Sequence, residues 1–185
     1  DALSKDGETD VGYKRVGTIS LHTDQTKLEK MIERAKTRRE DAPEIGDIKL
    51  LSPEEARSYF PLLSDEYGAV YVSGGARVDG RAIRDSLLRA AEKNGAKLIQ
   101  GSAHILTKSN RVMGVEVNGE KLVADQVIDT SGAWSKQLLE PLGLTFQVTH
   151  QRAQIIHLEY PNMNTGDWPV VMPPNNSYLL SFENR

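Results

Sequence analysis

The sequence predicts an α+β (mixed α/β) chain, and three observations carry that reading. Two stretches repeat apolar residues with a helical period over enough length to pack against a sheet. Several shorter runs rich in Val, Ile, Leu and Tyr lie between Gly, Pro and Asn, as strands do. Asn118-Gly119 sits between alternating Val115/Val117 and Leu122, the strongest short-range signal for a tight hairpin.

Taken in order, the chain opens with a polar, mobile segment and enters a strand over Tyr13 to Leu21, weakened at Gly12 and Gly17. A helix follows, with Leu28, Met31, Ile32 and Ala35 on one face and Thr23 or Asp24 as its cap. Asp47 to Leu51 reads as a short strand. It feeds "SPEE", where Ser52 at the N-cap, Pro53 at the first position and Glu55 at the third form a capping box. Ala69 to Ser73 is another strand, ending in the loop "GGARVDG", whose Asp79 caps a second long helix. That helix puts Ile83, Leu87 and Ala90/Ala91 on one side and stops at Asn94-Gly95. "AKLIQ" (96–100) then reads as a strand, so Gly74 to Gln100 supplies part of a β-α-β crossover. "HILTK" and the Asn-Gly hairpin come next. "ADQVIDTSGAWS" follows, a buried strand through Val127-Ile128 that runs into a Ser131-Gly132 turn and an exposed Trp134. Ala153 to Tyr160 and Ser177 to Phe182 are further strands, joined by a Pro/Asn/Gly-rich connection with a short Val170-Val171 element.

Composition removes several function classes. The formal net charge is -3, and Lys and Arg are dense only from Lys27 to Arg39, where Glu29, Glu33 and Glu40 interleave with them. That pattern is a solvated helix face and not a nucleic-acid surface. There are no cysteines, which excludes disulfides, zinc-thiolate sites and cysteine nucleophiles and fits a reducing, cytoplasmic setting. No apolar run has the length of a membrane span.

Most familiar catalytic patterns are absent from the sequence. His22, His104, His150 and His157 lack metal-ligand spacing, and no Gly-x-Ser-x-Gly elbow is present. "GGARVDG" meets neither the P-loop nor the dinucleotide spacing, and Glu54-Glu55 sit where the helix dipole alone explains them. Small residues after a strand let a ligand or another backbone come close. Ser131-Gly132 therefore reads as such a place or as a plain tight turn, and Trp134 as a site residue or a core one.

The ordered set "GGARVDGRAIRDSLLRAAEKNGAKLIQGSAHI", "RVMGVEVNGEKLVADQVIDTSGAWS" and "HQRAQIIHLEY" resembles the middle of the FAD-dependent oxidoreductases of the D-amino-acid oxidase and glycine oxidase family. The opening "GYKRVGTISL" resembles the strand that starts the family's substrate domain. The resemblance covers the chain from Gly12 onward and is most specific from Arg77 to Gln154. It implies an antiparallel-rich substrate-domain sheet with helices on one side, plus incomplete strands of an FAD-binding Rossmann-like domain. On that reading residues 1–73 and 144–185 belong to the substrate domain and 74–143 to the FAD domain.

The same resemblance implies that main-chain groups of His104 meet the adenine and that Ser131, Gly132 and Trp134 lie close to the cofactor. It implies that Tyr178, otherwise a half-buried strand tyrosine, faces the substrate, with Arg152 a second candidate for that task. No side chain stands out as an obligatory acid or base. The sequence departs from the family in having no Gly-x-Gly-x-x-Gly, and Asp129 and Thr130 differ from the residues usual before the turn. The expectation is an internal piece of a longer flavoenzyme that oxidises the C–N bond of an amino acid or secondary amine and is inactive alone. Its partners are then the remaining segments of its own chain and a small amine substrate, with a homo-oligomer possible. A glycerol-3-phosphate-type flavin dehydrogenase and a non-catalytic binding module are the alternatives.

Overall fold

The computed structural model describes residues 11–183, so the polar opening segment and the last two residues of "SFENR" lie outside the described residues. The chain divides into two compact units, residues 11–94 with 157–183, and Gly95–Ile156.

The first unit is built on a four-stranded sheet with the order β3-β4-β2-β9. Strand β2 (Thr18–His22) lies between antiparallel β4 (Gly68–Val72) and parallel β9 (Val170–Met172), and β3 (Ile48–Leu51) closes the far side of β4. The alternation expected of Tyr13 to Leu21 is interrupted at Gly17, which has positive φ. Before that break, β1 (Lys14–Arg15) pairs with β5 (Ala76–Arg77), a two-residue strand inside the "GGARVDG" loop. Ile19, Leu21, Leu51, Ala56, Phe60, Ala69 and Val171 form the core, with Tyr71 and Trp168 packed against it.

Helix α1 (Gln25–Asp41) is capped by Asp24, whose carboxylate accepts from the amides of Thr26 and Lys27. It lays the buried Leu28 against Gly68, where a side chain would collide with Leu28. Helix α2 (Pro53–Tyr59) has the full capping box, Ser52 and Glu55 each bonding the other's backbone N–H. Helix α3 (Gly80–Lys93) is capped by Asp79 and stops at Asn94, followed by Gly95 at φ +90. Its inward residues are the small Ser86 and Ala90, whereas Leu87, expected inside, is 53% exposed. Small side chains permit close approach, so the face with the shortest residues is the one that packs here.

The second unit is an antiparallel meander of β6 (Ala103–Lys108), β7 (Arg111–Val117) and β8 (Glu120–Val123). Asn118 and Gly119 both take positive φ, as a two-residue hairpin turn requires. Ser109 and Asn110 do the same between β6 and β7. Helix α4 (Ser135–Leu139) sits beside β6.

Three expected strands are corrected. Residues 96–100, the Val127-Ile128 stretch and Ala153 to Tyr160 carry no ladder pairing, so the Gly74 to Gln100 stretch forms no β-α-β crossover. Ser177 to Phe182 is reduced to a single bridge between Leu179 and Val171. Ile128 is 83% and Ile156 82% exposed. A strand is stable only when a neighbouring strand takes its backbone hydrogen bonds, and among the described residues no strand pairs with 96–100, 127–128 or 153–160.

Candidate functional site

The turn after Ile128 is organised by one carboxylate. Asp129 Oδ1 accepts from the Ser131 backbone N–H at 2.8 Å and from Ser131 Oγ at 2.6 Å. Ser131 Oγ lies 3.1 Å from Ser135 Oγ, and the Ser131 carbonyl accepts from Trp134 N at 3.1 Å. The chain is thereby folded into a single 3-10 turn, Gly132–Trp134, that leads into α4. Gly132 stands at φ +56 with open space where a Cβ would lie. Trp134 is 64% exposed, whereas Ser135 is buried. The result is a hydrogen-bonded turn with a bare glycine and an aromatic ring turned outward.

The Ser131 hydroxyl above all, then the Ser131 amide and the Ser135 hydroxyl, holds the Asp129 carboxyl below its ordinary range. A depressed carboxylate stabilises the folded turn fully above the unfolded value and loses that contribution as pH falls through the folded value. The expected result in a carboxyl-carbon NMR titration is that Asp129 titrates below the usual aspartate value of about 3.9. Ser131→Ala moves the titration upward towards that value. An Asp129 midpoint unchanged by the substitution would remove the network's role.

The other sequence-designated residues are distributed as follows. His104 lies on β6 opposite Glu116. Strand β6 is at the sheet edge, so alternate backbone N–H and C=O groups point away from β7. The turn and the His104 strand share one unit, and α4 brings the end of the turn beside β6. Tyr178 is exposed and directly precedes the Leu179 bridge. Arg152 is exposed in an unpaired stretch of the second unit, while Tyr178 belongs to the first. Asp129 and Ser135 were missed as functional residues, although Asp-x-Ser before a helix is a recognisable side-chain-to-backbone turn pattern. Among the described residues no group of three His, Cys, Asp or Glu is placed to hold a metal ion, and no helix is long and apolar enough to cross a membrane.

Comparison with known proteins decides the family. The whole sequence, residues 1–185, matches the family described as DAO, FAD dependent oxidoreductase. The chain belongs to the DAO family. Within it, the chain is 57% identical over 182 residues to the uncharacterized oxidoreductase YurR of Bacillus subtilis (strain 168), covering 98% of the chain and 49% of that protein. It is similar to the crystal structure of iminodiacetate oxidase (IdaA) from Chelativorans sp. BNC1, at TM-score 0.88 and 40% identity over 98% of this chain and 49% of that one. A glycine oxidase of Pseudomonas aeruginosa is 31% identical over 113 residues, covering 59% of the chain and 31% of that protein. The chain thus spans about half the length of the first two relatives.

DAO-family proteins are FAD-dependent, and the residues of this chain suit only part of that cofactor. Gly132 is bare, Trp134 is turned outward and β6 is an edge strand. The pyrophosphate needs a Gly-x-Gly-x-x-Gly turn at a helix N-terminus, and the sequence contains none.

Proposed function

We propose that this chain is the central part of an FAD-dependent enzyme that oxidises the C–N bond of an amino acid or secondary amine, of the glycine, sarcosine or D-amino-acid type. The observation that carries the reading is the likeness to iminodiacetate oxidase along 98% of the chain. Iminodiacetate is a secondary amine flanked by carboxylates, so the proposed substrate class is an N-substituted glycine or a close relative. Flavin chemistry, when the cofactor is bound, takes a hydride from the carbon bearing the amine, and water hydrolyses the imine so formed.

What this chain's residues contribute is binding and orientation. In the proposal, residues 74–143 serve the FAD domain and residues 1–73 and 144–185 the substrate domain, in a cytoplasmic enzyme. Main-chain groups of His104 on the free edge of β6 meet the adenine. The Ser131-Gly132 turn lets the dinucleotide approach, and Trp134 shields it. The Tyr178 phenol donates to a substrate carboxylate, a task for which Arg152 is the alternative candidate. The isolated chain is inactive, since it lacks the turn that cradles the pyrophosphate.

The test compares the longer protein with the 185-residue chain. The longer protein is expected to purify yellow and to release peroxide with iminodiacetate, sarcosine or glycine, while the shorter chain elutes colourless from gel filtration. Dye reduction without peroxide would assign a dehydrogenase instead. Stoichiometric flavin on the short chain would overturn its proposed inactivity, and a flavin-free longer protein would overturn the function.

A further inference from the structure

Arg77 is a buried cation with no carboxylate at ion-pair distance among the described residues. The residue is 8% exposed, and its Nε has no hydrogen-bond partner. Asp167, the acid next to its contact point, is paired with Lys14 at 2.6 Å, and the Arg77 charge acts on it only from beyond ion-pair distance. Burying an Arg this way is costly unless the charge is used. Its remaining contacts show the use. Nη2 donates to the Gly166 carbonyl at 3.1 Å, and the guanidinium carbon lies 4.5 Å from the centre of the Phe182 ring.

Both contacts fall on the same substructure. Thr165 Oγ1 donates to the Phe182 carbonyl at 2.5 Å, tying 165–166 to the end of the chain's last extended stretch. Four residues earlier in that stretch is Tyr178, followed by Leu179, which exchanges hydrogen bonds with Val171 at 2.9 and 3.0 Å. Val171 belongs to β9 and is fully buried against β2. Tyr178 is therefore on a segment gripped at Leu179 by the sheet and at Phe182 by Arg77. Arg77 itself is fixed by β5 pairing with β1. A guanidinium suits this place because one planar group donates along its edge and stacks on a ring with its face.

We propose that Arg77 is a positioning residue for Tyr178: through Gly166 and Phe182 it clamps the 178–182 segment and so sets where the phenol stands. The inference rests on the proposed function for the role of Tyr178, but the clamp has a readout of its own. In the full-length protein, Arg77→Met is expected to speed amide exchange at Leu179 roughly tenfold. It also raises the amine KM by a similar factor, with kcat nearly unchanged. Arg77→Lys restores part of both effects, because it keeps the charge and loses the planar fork. Tyr178→Phe raises KM as well, and the Arg77→Met/Tyr178→Phe pair is no worse than Tyr178→Phe alone.

Unchanged exchange over 177–183 in Arg77→Met, or additive KM losses in the pair, would overturn the clamp. Faster exchange with a silent Tyr178→Phe would uphold the clamp and remove Tyr178 from the proposed substrate site. Should Arg77→Met fail to fold, Phe182→Leu takes its place. It removes only the ring face, and unchanged exchange at Leu179 in that variant would overturn the proposal.

Discussion

Replacing Gly75 by alanine is expected to destabilise the first unit by about 3 kcal/mol or more. A Cβ at that position would stand 2.0 Å from Thr18 Oγ1, 2.6 Å from the Gly17 carbonyl carbon and 2.7 Å from Thr18 N. Two of those atoms are main chain, so no rotamer change relieves the collision. The Gly75 carbonyl also accepts from the amides of Val16 and Gly17, at 3.1 and 2.8 Å. Those bonds hold the break between β1 and β2 in place. Gly74 is confined in the same way, with the Glu44 carbonyl oxygen 2.1 Å from where its Cβ would lie. Gly80, by contrast, opens α3 with nothing within 4 Å of a built Cβ. Gly80→Ala is expected to change stability by less than about 0.5 kcal/mol, or to raise it slightly. Native-state hydrogen exchange of β2 peptides in the full-length protein measures both. Equal responses would show that close approach at Gly75 is not what limits this loop.

The second large effect is at Ile19, which is fully buried. Its strand is the only one in the four-stranded sheet with an antiparallel neighbour on one side and a parallel one on the other. Tyr71 and Val171 are its direct partners across those two ladders. Ile19→Ala is expected to cost about 3–4 kcal/mol, the lost transfer energy plus the void left in the core cluster on the face of the sheet. Ile19→Val should cost about 1 kcal/mol. Because Val171 carries the Leu179 bridge, the alanine variant should also quicken exchange at Leu179, far from the substitution in sequence. A valine variant as damaging as alanine would argue against a cavity as the cause.

How much of this was legible in the sequence depends on the distance over which each feature is decided. Both long helices, the Asp79 cap, the capping box at Ser52 and the Asn118-Gly119 hairpin are set by neighbours a few residues apart and appear where the pattern put them, and of the two caps open for the first helix, Thr23 or Asp24, the structure uses Asp24. The pairing of β9 with β2 joins residues 152 positions apart, and no local pattern announces it. Strand β5 was hidden in a glycine-rich loop because two residues carry no period. The missing strands failed for a different reason: apolar alternation in "AQIIHLEY" says that the segment favours burial and not which backbone receives it. At the site, the small turn and the exposed tryptophan were visible in composition. The Asp129 network that stiffens them depends on side-chain geometry, and so does the clamp at Arg77.

The bare segments have a consequence for how this protein is made. "AQIIHL", residues 153–158, has strong strand preference, no proline and no formal charge with histidine neutral, and it stands unpaired beside other exposed apolar stretches. Six-residue windows of that kind are the seeds of cross-β stacking between molecules. During synthesis they are hazardous until something covers them, so the yield of soluble protein depends on how soon a pairing backbone is at hand.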